Sequence, residues 1–161
     1  MMKLYSTIFL TSLSLSVQAA QWEVVKDYDF SGTSVSSNYI AFITEDKKYS
    51  GGVVRNLRAS FVCNKYSGDY IRFTKIHSKT KDGVIYWKTK EDEKWNISEA
   101  YFDRPMVVIN SKKVGYEDLL SAMKTSKNIL ISLDRVETSK VNLNGFTSSY
   151  LEVRNLSNCK S

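Results

Sequence analysis

The chain has 161 residues, with 42% hydrophobic and 25% charged residues. This is enough for one ordinary domain with its own core and excludes a disordered or fibrous chain. One Pro and 7 Gly exclude collagen-like and Pro-rich architectures. A formal charge of +6 and a pI near 9.2 permit contact with anionic surfaces without demanding it. A single His argues against most His-dependent catalysis.

Residues 1–20 read as a signal peptide. Lys3 precedes an uncharged apolar stretch over 4–17, and Val17-Gln18-Ala19 places small residues three and one before a cut. The stretch is too short for a comfortable transmembrane helix, and no later segment approaches about 18 apolar residues in a row. Cleavage after Ala19 or Ala20 leaves residues 21–161 as a single exported domain without a transmembrane segment. It removes one lysine and no acid, so the charge falls to +5. The expected destination is the periplasm of a Gram-negative bacterium, or the medium beyond it.

Both cysteines survive cleavage. They lie 96 positions apart, without a C-x-x-C or a neighbouring His, so in an oxidising compartment the simplest expectation is a Cys63–Cys159 disulfide. It would tie a strand in the first half to the C-terminus.

In chain order, Trp22-Glu23-Val24-Val25-Lys26 alternates as a short strand, and a Ser/Gly-rich connection follows over 31–38. Residues 38–44 read as a strand closed by a charged turn, Glu45-Asp46-Lys47-Lys48, with Gly51-Gly52 as a break. A strand over 57–63 leads to a turn at Ser67-Gly68-Asp69. Strands over 70–76 and 84–88 flank Asp82-Gly83 and resemble a hairpin or meander. Beyond Trp95 the apolar stripe 116, 119, 120, 123 predicts a helix, and residues 129–136 return to strand texture. A short strand at 141–143 precedes Asn144-Gly145, and Thr147 is placed to cap a last helix with the stripe Tyr150, Leu151, Val153, Leu156. The pattern is α+β: a mostly antiparallel sheet or sandwich with two helices in the C-terminal half.

No catalytic constellation assembles from the sequence. His77 has no local motif joining it to Ser60, Asp69 or Asp82. Glu23, Asp27 and Asp69 have nothing favouring a carboxylate pair of the kind glycoside chemistry needs. No clustered ligand set points to a metal, and no motif to a cofactor. Lysines and arginines interleave with Phe61, Tyr66, Tyr70 and Phe73, but export argues against nucleic acid and leaves strand edges guarded by Lys as the plainer reading.

The C-terminal half carries an ordered series: Trp95-x-x-Ser98, Tyr101-Phe102, Pro105, Leu119-Leu120, the strand at 129–133, Leu143-Asn144-Gly145-Phe146, Arg154 and Cys159. With Val62-Cys63 this order resembles the small exported VasI or TagO family, accessory proteins associated with bacterial type VI secretion. The likeness spans about residues 57–159. It implies an exported, disulfide-bonded, β-rich domain with no chemistry of its own, in which Trp95, Phe102 and Gly145 are fold determinants. The functional expectation is a non-enzymatic binding protein that presents a sheet face or edge to an envelope protein or cell-wall component. The rivals are an inhibitor of an envelope hydrolase, such as a lysozyme inhibitor, and a peptidoglycan-acting enzyme using His77.

Overall fold

The structure, a computed structural model, describes residues 22–26, 39–49, 52–63, 68–74, 82–91, 93–103 and 106–157. Among these described residues nine strands form one antiparallel sheet: β1 (Glu23–Lys26), β2 (Tyr39–Tyr49), β3 (Gly52–Cys63), β4 (Tyr70–Thr74), β5 (Asp82–Lys88), β6 (Asn96–Asp103), β7 (Met106–Asn110), β8 (Asn128–Ser132) and β9 (Ser139–Asn142). Their order across the sheet is β1-β2-β3-β4-β7-β6-β5-β8-β9. Helix α1 (Tyr116–Thr125) lies between β7 and β8 in the chain, and α2 (Phe146–Ser157) follows β9. The α+β pattern of the sequence is therefore present, as one curled sheet rather than two stacked ones.

The register sorts the side chains into two sets, although Ser60, Val62 and Leu130 of the second set are buried too. One face carries Ala41, Ala59, Phe61, Ile71, Phe73, Ile85, Trp87, Phe102, Val107 and Ile109, all buried. Both helices cover this face, α2 against β1–β3 and α1 against β6 and β8. The α1 stripe Tyr116, Leu119, Leu120 and Met123 is buried as the spacing requires.

The sheet curls until its two ends meet. Trp22, just ahead of β1, donates from Nε1 to the carbonyl of Asn142 in β9 at 3.0 Å. Its ring meets Phe146 edge-on, with centroids 4.6 Å apart, and its own carbonyl accepts from Ser149 Oγ at 3.2 Å. A buried Trp thus joins the first strand, the last strand and α2. The contact is made by a side chain, and β1 and β9 remain the two end strands of the order.

Three expectations need correction. The charged stretch Glu45-Asp46-Lys47-Lys48 is no turn: it runs inside β2, paired with Asn56, Arg55, Val54 and Val53 of β3. Charge marks a solvated position and does not end a strand whose backbone groups are already paired. The strands over 70–76 and 84–88 do not form a hairpin. β4 lies between β3 and β7, β5 lies between β6 and β8, and Asp82-Gly83 sits in β5 opposite Tyr101 and Ala100. Finally, the inward stripe of α2 is Phe146, Ser149, Tyr150 and Val153, whereas Leu151 and Leu156 are exposed. Helix α2 begins one residue before Thr147, and the Thr147 hydroxyl donates to the carbonyl of Lys124 in α1 instead of capping.

Candidate functional site

Among the described residues of the sheet, the outer face of β5 and β6 carries large apolar side chains into solvent. Val84 and Tyr86 alternate outward on β5, and Ile97, Glu99 and Tyr101 do so on β6. Tyr86 lies opposite Ile97, Val84 opposite Glu99, and Tyr101 opposite Val108 of β7. Ile97 is 55% exposed, Tyr101 48% and Val84 36%. Such residues are ordinary one at a time, but side by side on adjoining strands they form a patch.

Two turns bring charge to this patch. The chain after β7 carries Lys113, whose Nζ lies 3.7 Å from Glu99 Oε2, and Val114, whose carbonyl accepts from Glu99 N at 3.0 Å. The turn after β8 holds the Arg135 guanidinium over the Tyr86 ring, 4.6 Å from its centroid. Ser132 and Asp134 build that turn. Ser132 Oγ accepts from the Arg135 and Asp134 amides at 2.8 and 3.3 Å, and Asp134 Oδ1 accepts from the Val136 and Glu137 amides at 2.8 and 3.0 Å. These backbone donors hold the Asp134 carboxyl below the usual carboxylate range.

A second polar cluster lies where α2 meets the start of β4. Arg154 Nη1 donates to Asp69 Oδ2 at 2.5 Å, with side-chain exposures of 19% and 13%. Burial pushes the Asp69 carboxyl up, against the opposing pull of the Arg154 charge and hydrogen bond. Tyr116 is buried beside these charges, and burial raises its hydroxyl too. Its Oη has no hydrogen-bond partner among the described residues. Tyr150 packs edge-on against Phe61, with centroids 4.8 Å apart, and lies under the guanidinium of Arg154. This arrangement fastens α2 to the sheet.

The residues singled out from the sequence fall as follows. Phe102 is buried in the core on β6. Gly145 precedes α2 with φ +85°, the left-handed conformation that the turn into the helix requires. Trp95 sits only half-buried before β6, outside the core, with the Lys88 ammonium over its ring at 4.6 Å. Ser98, of the same Trp95-x-x-Ser98 motif, is the buried member: its hydroxyl accepts from Trp87 Nε1 at 2.9 Å and donates to the Gly115 carbonyl at 2.8 Å. That bond ties β6 to the start of α1.

Cys63 is buried at the end of β3. Cys159 lies outside the described residues, as do His77 and Asp27. Ser60 is buried and accepts from Arg72 Nε at 3.0 Å, and Asp69 is engaged by Arg154. Among the described residues no three His, Cys, Asp or Glu side chains are placed to hold a metal ion, and no helix is long and apolar enough to cross a membrane. Sequence reasoning missed Arg135, the Asp69–Arg154 pair and the outward row on β5 and β6. A scan against protein-family models and searches of curated proteins and of solved structures returned no match to this chain.

Proposed function

We propose that this protein is an exported, non-enzymatic binding protein of the bacterial envelope that presents the outer face of β5 and β6 to a protein partner. The observation that carries the reading is the adjoining exposed row Val84, Ile97 and Tyr101, continued by Tyr86 beneath Arg135. Apolar and aromatic side chains with an adjacent Arg are the composition from which protein interfaces draw their binding energy. Both strands of the face are paired on both sides, β5 with β6 and β8 and β6 with β5 and β7, which limits what binding must reorder. The signal-peptide pattern supports an envelope location. The ordered likeness to the VasI or TagO family supports an accessory role, with type VI secretion as the proposed setting.

The test is affinity capture from the native host's periplasm with tagged mature protein, alongside the Ile97→Glu variant. The expected result is recovery of an envelope protein by the wild type and its loss in the variant, with the thermal midpoint of the variant unchanged. Recovery of the same partner by both proteins would remove the face from the argument. A lysozyme-like hydrolase among the wild-type captures would make the protein an inhibitor, and peptidoglycan fragments alone would make it a wall binder.

A further inference from the structure

Arg135 is the one non-glycine residue with positive φ among the described residues, at +67°. A left-handed backbone is unfavourable for a side chain with a Cβ and persists only where the surroundings fix it. Here they do. The buried Ser132 hydroxyl receives the Arg135 amide, and Asp134 receives the next two. A short turn is thus spent on holding a long cationic side chain in one place.

Among the described residues no ion pair answers its charge. Lys88, Lys90, Lys113 and Arg154 each have a carboxylate oxygen within 4.0 Å, whereas Arg135 has none among the described residues. Asp134, its chain neighbour, turns its Oδ1 to the Val136 and Glu137 amides and to the Ser132 hydroxyl. The guanidinium instead lies on Tyr86, which pairs across the sheet with exposed Ile97. Stacking on the ring leaves the edge of the guanidinium and its N–H donors for another group. A planar donor fork beside an apolar floor is complementary to a carboxylate flanked by apolar side chains.

Resting on the docking reading above, we propose that Arg135 is the specificity-determining anchor of the β5–β6 face, and that the partner it fits is a protein segment presenting a Glu or Asp carboxylate beside an apolar side chain. Tyr86 and Ile97 take the apolar part, and Arg135 takes the acid.

The test is an NMR titration of the isotope-labelled mature protein with the blocked tripeptide acetyl-Leu-Glu-Leu-amide. Acetyl-Leu-Gln-Leu-amide serves as the neutral control and inorganic phosphate as the plain anion. The expected result is saturable shifts at the Arg135 side-chain Nε–H and at the Tyr86 and Ile97 amides. The Gln peptide and the Arg135→Gln variant should each weaken binding about tenfold or more, the size expected for a charge-assisted hydrogen bond. Arg135→Lys should recover only part of it, because Lys keeps the charge and loses the fork. Equal binding of both peptides, with Arg135→Gln unaffected, would overturn the anchor while leaving the apolar face standing. Shifts with phosphate as strong as with the Glu peptide would overturn the proposed partner chemistry. No peptide-induced shift at all would overturn the proposal. The docking reading falls separately, if the Ile97→Glu protein captures the wild-type partner.

Discussion

Replacing Arg154 by Met removes one half of the ion pair that fastens α2 to the start of β4, and its cost should depend on pH. The Asp69 carboxylate would remain at 13% side-chain exposure, close to the buried Tyr116 and without its counter-charge. Losing one partner of a fully buried pair costs about 3–5 kcal/mol, and this part-buried pair belongs at or below the lower end of that range. The carboxyl can escape by taking up a proton, which at pH 7 costs an acid of ordinary value 3.8 about 4 kcal/mol and sets the ceiling. A deficit of about 3 kcal/mol at pH 7 is the expectation, since Met keeps much of the stem's packing.

The sign with pH follows from linkage. Burial already raises the native Asp69 value above its unfolded one, so this group favours folding most below the unfolded value, and that contribution is lost as pH rises through the native value. Removing Arg154 takes away the lowering influence and extends the window upward. The variant's deficit relative to wild type should therefore shrink as pH falls from about 7 to about 4. Asp69→Asn should cost only about 1 kcal/mol at pH 7, because the guanidinium keeps its place over Tyr150 and can reach water. Urea unfolding followed by tryptophan fluorescence at both pH values decides the matter. The reasoning fails if the Arg154→Met deficit is the same at both, or if Asp69→Asn costs as much as Arg154→Met at pH 7.

Gly115→Ala should destabilise by about 3 kcal/mol, since Gly115 has φ +80° and a Cβ there would lie 2.4 Å from the Ile97 carbonyl oxygen; a urea midpoint close to wild type would refute the close approach. Trp22→Ala should cost about 4 kcal/mol by opening the seam between β1 and β9, read as a fall in the thermal midpoint. Arg135→Gly should raise stability by about 0.5 kcal/mol, the relief of the left-handed penalty outweighing the entropy that Gly adds to the unfolded chain; a loss of 1 kcal/mol or more would show that stacking on Tyr86 is chiefly structural. Unreduced mature protein should give a mass two hydrogens lighter than the reduced form and a linked Cys63–Cys159 peptide, and two free thiols would remove the proposed disulfide.

Local signals carried much of the fold. The spacing 116, 119, 120, 123 lies on the buried side of α1 because a helix has one period and one face to bury. Gly145 marks the entry to α2 because the required backbone conformation excludes most other residues. Strand pairing was not legible in the same way. β4 and β5 follow one another in the chain yet lie apart in the sheet, with β7 and β6 between them. Nothing within a strand of five or seven residues names its neighbours, and an Asp-Gly pair reads as a turn only until a partner strand satisfies its backbone. The long β2 misled for a related reason. Its charged half resembles a turn in composition, while the ladder to β3 that makes it a strand lies in residues 53–56.

The candidate site divides along the same line. Ser132-x-Asp134 is a local signal, since Ser and Asp hydroxyl and carboxylate oxygens capture the amides that follow them, and the spacing could have marked the β8 turn. What that turn accomplishes was not local, because Tyr86 reaches the underside of Arg135 through the pairing of β5 with β8. The Asp69–Arg154 pair spans 85 positions and joins α2 to the start of β4, so no local pattern announces it. The exposed row of β5 and β6 is the hardest case: Val84, Ile97 and Tyr101 have the composition of core residues, and only the register sends them outward. A residue that reads as core and stands in water sets solubility against some other use. That conflict between local composition and final placement is the physical reason for proposing a role for this face rather than for the polar cluster beneath α2, where Asp69 and Arg154 pair with each other.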